Sequence, residues 1–412
     1  MSAFTPMTSF GPVPTGWIWG TATAAHQIEG GNTNNDWWAF EHTPGTGTTE
    51  SSGDACDSWN RWFEDLELVK GMGLDAYRFS VEWSRVEPAE GEFSIASLEH
   101  YRQVTLAAHE MGLKTSVTFH HFTTPQWMAA KGGWTNPEIV DRFARFVDIA
   151  VQHLGDNIDM AATFNEPSVV AMAGYLAGSF PPGVKDDMEA FRTVTYNIVA
   201  AHVRAREVLK SGPGSFPVGL THALADIVIH PDGDPTSEGV RVSEIDPDTP
   251  EGEMAHLMWG IYLEVARDDD YLGVQTYFTM HLGPDGKELP KPVDWRLTQM
   301  GWTFTPEALG RTVRQAHAVA QVPIYVTENG VASADDDERI EYYSRSLASL
   351  REAMEDGVDV RGFFAWSLLD NFEWAEGYRP TFGLVAVDPV TFARSPKPSS
   401  RWYAAIVADS RG

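Results

Sequence analysis

Met160-Ala161-Ala162-Thr163-Phe164-Asn165-Glu166-Pro167 opens as a short apolar run and stops on an amide, a carboxyl and a proline. Residues 160–164 have the length of a strand and lack polar alternation, which fits a strand covered on both faces. Seven further runs of that kind lie at 17–21, 76–81, 114–119, 217–221, 272–277, 323–327 and 362–366, each bounded by glycine, proline or polar residues. Amphipathic stretches at 59–70, 98–111, 137–154, 188–210, 306–320 and 339–356 lie between them. Eight strands alternating with helices predict an α/β fold, a single (β/α)8 TIM barrel over residues 1–412, with the active site at the C-terminal ends of the strands. No linker divides the chain. The acidic stretch 231–253 reads as a surface loop, and both it and a second acidic cluster at 335–338 read as solvated faces, with loops over the active-site mouth as the lesser reading.

The 412 residues include 58 acidic and 30 basic ones, a formal net charge of −28. Such a surface repels nucleic acid and anionic lipid, so neither is expected as a partner, and it favours a neutral substrate. No run approaches the ~20 apolar residues that cross a bilayer. Cys56 is the only cysteine, so no internal disulfide can form, which fits a reducing compartment. Residues 1–16 carry no basic and apolar regions of a signal peptide. The expected location is the cytoplasm. The histidines do not fall at metal-ligand spacing, and no phosphate loop or dinucleotide fingerprint follows a strand, so neither metal nor cofactor is expected.

In a barrel of this kind chemistry sits where the strands stop. The second run carries Arg78, the third ends in His120-His121-Phe122, and the fourth in Asn165-Glu166-Pro167. The sixth ends in Tyr277, the seventh in Glu328-Asn329-Gly330, and the eighth in Trp366, soon followed by Asp370, Asn371, Glu373 and Trp374. Carboxyls, amides and indoles at one mouth describe a sugar site. Glycoside cleavage typically needs two carboxyls, one to protonate the leaving oxygen and one to attack the anomeric carbon or activate water. Glu166 and Glu328, ending strands four and seven, would face each other across the barrel.

At these residues the sequence resembles the family 1 glycoside hydrolases, the β-glucosidase and β-galactosidase family. Thr163-Phe164-Asn165-Glu166-Pro167 is similar to the family's acid/base motif and Thr327-Glu328-Asn329-Gly330 to its nucleophile motif. Gly20-Thr21-Ala22-Thr23-Ala24-Ala25-His26-Gln27-Ile28-Glu29-Gly30 resembles the N-terminal signature that supplies a sugar-binding glutamine. Tyr77-Arg78-Phe79-Ser80 resembles the second-strand motif, and the segment from Trp366 to Trp374 the final sugar-binding one. The resemblance implies Glu166 as general acid/base and Glu328 as nucleophile. It also implies that Gln27, His121 and Glu373 bind ring hydroxyls with Trp374 beside them, and that Asn165 contacts the 2-hydroxyl. Trp366 would form the floor, and Tyr277 and Arg78 would hold the nucleophile. Between the adjacent histidines, His121 matches the family's position four residues before Pro125, which leaves His120 as a packed core residue.

The chain departs from the family at Phe122, where many members carry tryptophan, and at Gln275-Thr276-Tyr277, which replaces Asn-Tyr-Tyr. Intact Glu166 separates it from the thioglucosidase branch, and Glu373 from the phospho-glycosidase branch. Trp37, Trp38, Trp59, Trp62 and Trp83 fall in packing contexts, Trp302 reads as structural, and Trp295 is a candidate aglycone platform. The implied enzyme is a retaining β-glycosidase of the β-glucosidase type, acting on small β-glucosides or β-linked oligosaccharides, with β-galactosidase and β-fucosidase activity as further possibilities. A transglycosidase would use the same residues, and a silent sugar-binding protein would lack one of the two carboxyls. Oligomeric state is open at this level.

Overall fold

The computed structural model describes residues 4–244 and 248–412. Its centre is a closed barrel of eight parallel strands: β1 (Ile18–Ala22), β2 (Ala76–Ser80), β3 (Lys114–Thr118), β4 (Met160–Asn165), β5 (Val218–Ala223), β6 (Tyr271–Gln275), β7 (Ile324–Asn329) and β8 (Val360–Trp366). Each strand pairs with its neighbours in chain order, and β8 closes onto β1 with Ile18 opposite Gly362. The eight runs expected from the sequence are these strands, to within about two residues at either end. They lack alternation because both faces are buried, one by the barrel interior and one by helices.

The covering helices are α1 (Ser58–Gly71), α2 (Ile95–Glu110), α3 (Ile139–Leu154), α4 (Met188–Ser211), α5 (Ile261–Val265), α6 (Ala308–Ala320), α7 (Asp336–Glu355) and α8 (Pro398–Asp409). α3 shows how such a helix forms. Phe143, Phe146, Val147, Ala150, Val151 and Leu154 recur at helical spacing and are buried, while Asp141 and Asp148 lie away from them.

The two acidic stretches take definite forms. The cluster 335–338 is the start of α7: Asp335 accepts a hydrogen bond from the Asp337 N–H, and Asp336, Asp337 and Glu338 fill the first turn. Acidic residues there offset the unpaired N–H groups and positive dipole end of a helix, so this solvated charge run is a helix start. The stretch 231–253 carries the short strand Val240–Arg241 and the beginning of helix Pro250–Ala255, and its residues 245–247 lie outside the described residues. Val240–Arg241 pairs with Asp226–Ile229, which in turn runs parallel to Thr279–Leu282, so a small three-stranded sheet follows β5 and β6.

The barrel's register slips where the expected catalytic motifs begin. Ala162 lies opposite Gly219 but Asn165 opposite Thr221, so β4 spends one residue more than β5. The effect is visible in the side chains. Thr163 bonds His202 of α4 at 2.7 Å, outside the barrel, while Asn165 accepts from Arg78 at 2.6 Å, inside it. In a regular strand residues two apart share a face, and the extra residue separates them. β7 shows the same slip against β6 between Val326 and Glu328.

Candidate active site

The ends of β2, β4, β6 and β7 converge on Arg78, which is fully buried. Its Nη1 donates to Glu328 Oε1 at 2.5 Å and its Nη2 to Asn165 Oδ1 at 2.6 Å. Tyr277, two residues beyond β6, donates to the other Glu328 oxygen at 2.6 Å. Burial, then the charges of Glu328 and Glu166, push the Tyr277 phenol well up, so it keeps the proton it donates. Gln275 Nε2 also donates to Asn165 Oδ1, at 2.8 Å. The side chains of Asn165 and Glu328 are thus each held both from β2 and from the end of β6.

Glu166 is placed differently. It has φ of 45°, the left-handed region, and precedes helix Pro167–Tyr175, where a proline at the first position costs no hydrogen bond. Phe122 (φ 71°) and Trp374 (φ 55°) share this conformation. Three non-glycine residues in a sparsely populated region around one cavity mark backbone held by its surroundings, a pattern that clusters at functional sites. Gly330 has a steric reason: a Cβ there would lie 2.0 Å from the Trp366 carbonyl oxygen.

The two carboxyls differ in what stabilises their charge. Burial raises Glu166 well above the ordinary carboxyl range, the negative charge of Glu328 raises it further, and only Arg78 opposes. Burial raises Glu328 too, but Arg78, Tyr277 and Gln275 all act to lower it. With one proton to share, Glu166 holds it and Glu328 carries the charge.

A cavity of about 380 Å³ contains Gln27, His121, Asn165, Glu166, Tyr277, Glu328, Trp366, Glu373 and Trp374 in its lining. Every residue expected to touch sugar is therefore brought to one place, and Arg78 lies beneath it against Glu328. Gln27 Oε1, His121 Nδ1 and Glu373 Oε1 find no hydrogen-bond partner among the described residues. Buried polar atoms are rarely left so, and their convergence on one cavity is the pattern of a ligand site. Burial, Arg78 and His120 depress His121 well below the usual histidine range, so it is neutral. Asn165 Nδ2 lies 3.1 Å from His121 Nε2, which places the imidazole proton on Nδ1. His120 is buried against Trp134, Phe143 and Phe164, consistent with a packed core residue. Glu373 is pushed well up by burial and by Glu328.

Two tryptophan expectations reverse. Trp302 lines the cavity with Phe278, against which it stacks at 4.8 Å, whereas Trp295 packs on His281 and is absent from the lining. Val169, Phe180, Ala223 and Met300 add apolar surface. Sequence reasoning also missed His26. It stacks on Trp374 at 5.6 Å and 13° on one side, while His121 lies nearly parallel at 6.2 Å on another. Asn35 and Glu41 flank the His26 ring nitrogens, at 3.0 and 3.4 Å. The only signal was its place beside Gln27. Among the described residues no group of three or more His, Cys, Asp or Glu side chains is placed to hold a metal, and no helix is long and apolar enough to cross a membrane.

A proton-bearing carboxyl facing an ionised one, within a cavity of amides and indoles on a (β/α)8 barrel, defines a site for cleaving glycosidic bonds. The profile of glycosyl hydrolase family 1 matches residues 10–268 and 267–411, and the chain belongs to that family. It is 34% identical to a protein named β-glucosidase A from Thermotoga maritima, over 96% of this chain and 98% of that one. The same identity and coverage relate it to a bifunctional β-D-glucosidase/β-D-fucosidase from Bifidobacterium breve. The crystal structure of β-glycosidase BGL167 superposes with a TM-score of 0.86 at 39% identity, covering 97% of this chain and 98% of that one.

Proposed function

We propose that the chain is a retaining β-glucosidase, releasing terminal β-D-glucosyl residues from small β-glucosides or β-linked oligosaccharides, with β-galactosides and β-fucosides as further substrates. The observation that carries this reading is the asymmetry of the two carboxyls: Glu328 has two hydrogen-bond donors on its oxygens, while Glu166 has burial and a like charge. Glu166 gives its proton to the glycosidic oxygen, and the aglycone leaves as an alcohol. Glu328 bonds to the anomeric carbon. The ester is neutral, so the charge that raised Glu166 is gone and Glu166 becomes a base. It takes a proton from water, whose oxygen displaces Glu328 from the β face. Gln27, His121 and Glu373 would bind the outer hydroxyls and Asn165 the 2-hydroxyl, with Trp366 and Trp374 against the ring. The apolar lining at Trp302, Phe278 and Met300 would receive the aglycone.

We read residues 1–412 as one barrel domain, and the single buried Cys56 supports a reducing compartment such as the cytoplasm. Following hydrolysis of a nitrophenyl β-glucoside by proton NMR tests the mechanism. β-Glucose should appear first and mutarotate later, and α-glucose as first product would overturn it.

A further inference from the structure

A second cavity, of about 780 Å³, lies beside the first and within the size range of small-molecule sites. Its walls come from helix Asp36–Glu41 and the loop after it, from the segment following β3, and from helix Pro167–Tyr175 with the turn after it. Trp37 divides it from the proposed catalytic cavity. That ring packs on Phe40, which lines the second cavity, and on Phe180 and Trp374, which line the first.

Asp36 and Tyr175 are among the polar side chains that line it. Tyr175 is 4% exposed, and its hydroxyl makes no hydrogen bond among the described residues. Asp36 holds one oxygen against the backbone N–H groups of Trp37 and Thr124, at 2.9 and 2.8 Å. Burial, with the charge of Glu82, pushes its carboxyl up to about 7 against the pull of those two N–H groups. The two are near neighbours, since after burial the Asp36 charge is the cause that raises Tyr175.

The ligand chemistry follows by elimination. Asp36 and Asp187 outnumber Lys185 in the lining and so disfavour an anion, and among the described residues no group of three or more acids, histidines or cysteines is placed to hold a metal. A neutral ligand bearing several hydroxyls suits a carboxyl that accepts when ionised and donates when protonated, next to a phenol that does both. Phe40, Pro181, Pro182 and Val184 offer apolar surface to its C–H faces.

We propose that this cavity is a second saccharide site, in which Asp36 and Tyr175 bind a neutral sugar independently of the catalytic cavity. The test first fills the catalytic cavity with a 2-deoxy-2-fluoroglucosyl group, confirmed on Glu328 by mass spectrometry, and then titrates glucose by calorimetry. Saturable binding to the labelled enzyme should remain, and Asp36→Ala and Tyr175→Phe should each weaken it at least tenfold while leaving turnover within twofold. Tyr175→Phe keeps the ring and so keeps the test open if Asp36→Ala fails to fold. No saturable binding, or binding indifferent to Tyr175→Phe, would overturn the proposal. Failure of the label to attach would count against the catalytic reading alone. The second site is then read on unlabelled enzyme as the loss of one of two glucose sites in Tyr175→Phe.

Discussion

Replacing Tyr277 by phenylalanine removes one oxygen and leaves the ring packed on Trp302 and Phe382, whose centroids lie 5.6 and 5.9 Å away. The lost interaction is the 2.6 Å donation to Glu328 Oε2. Hydrogen bonds to charged groups contribute about 1.5–3 kcal/mol, which corresponds to roughly 10- to 150-fold in kcat/KM. The loss should not be uniform with pH. Tyr277 is among the groups that lower the Glu328 pKa, so its removal raises that pKa, and the enzyme must reach a higher pH before Glu328 ionises. The acid limb of kcat/KM therefore moves up, while the alkaline limb, where Glu166 loses its proton, stays nearer its place. The assay is kcat/KM for nitrophenyl β-glucoside across the pH range, with the melting temperature as a check on folding. A variant with kcat/KM within twofold and an unmoved acid limb would refute the claim that Tyr277 holds the nucleophile's charge.

Glu166→Ala should flatten the alkaline limb and slow substrates with poor leaving groups far more than dinitrophenyl glycosides. Added azide should speed turnover of the latter and yield the β-glycosyl azide; equal losses for both substrate classes would assign the proton to another residue. Glu373→Ser should reduce kcat/KM for unmodified glucosides by about 1–3 kcal/mol, since it leaves polar partners unpaired, and unchanged kinetics would place Glu373 outside the pocket. His26→Ala removes the ring stacked on Trp374 and should raise KM for glucosides, a change that His26→Tyr restores if stacking is what matters. His120 is held neutral, its pKa depressed by burial from 6.5 to about 3. Between those values the unfolded chain binds the extra proton, so stability falls as pH drops through that window and is unaffected above it. His120→Leu should therefore shallow the fall in urea midpoint from pH 6.5 to 4, and an identical slope would show that His120 is not the titrating group.

The strands were legible because burial on both faces writes an unbroken apolar run, and their last residues were legible because a strand interior rarely holds Asn-Glu-Pro or Glu-Asn-Gly. The start of α7 was legible only as a solvated face, because a solvated acidic run and a capped acidic first turn have the same composition and only the hydrogen bond to Asp335 marks the helix start. The stretch 231–253 was read as loop because a strand of two residues, such as Val240–Arg241, is too short to show a period. Trp302 and Trp295 could not be ranked for the same reason. Which of them turns toward the cavity depends on how the chain returns from Thr279–Leu282, and that path leaves no mark in local sequence.

The added residue in β4 bears on how this enzyme can change over generations. Thr163 must look outward to His202 and Asn165 inward to Arg78, and only the slip between Ala162 and Asn165 permits both. Deleting Phe164, which takes up the slip, would restore an even pleat and keep both facings, whereas a single deletion elsewhere in β4 would turn the side chains on one side of it to the opposite face. Deletions in the loops beyond β5 or β6 carry no such parity. Lineages are therefore free to lengthen or shorten the rim, and with it the choice of aglycone, while β4 tolerates a change of one residue only at its slip.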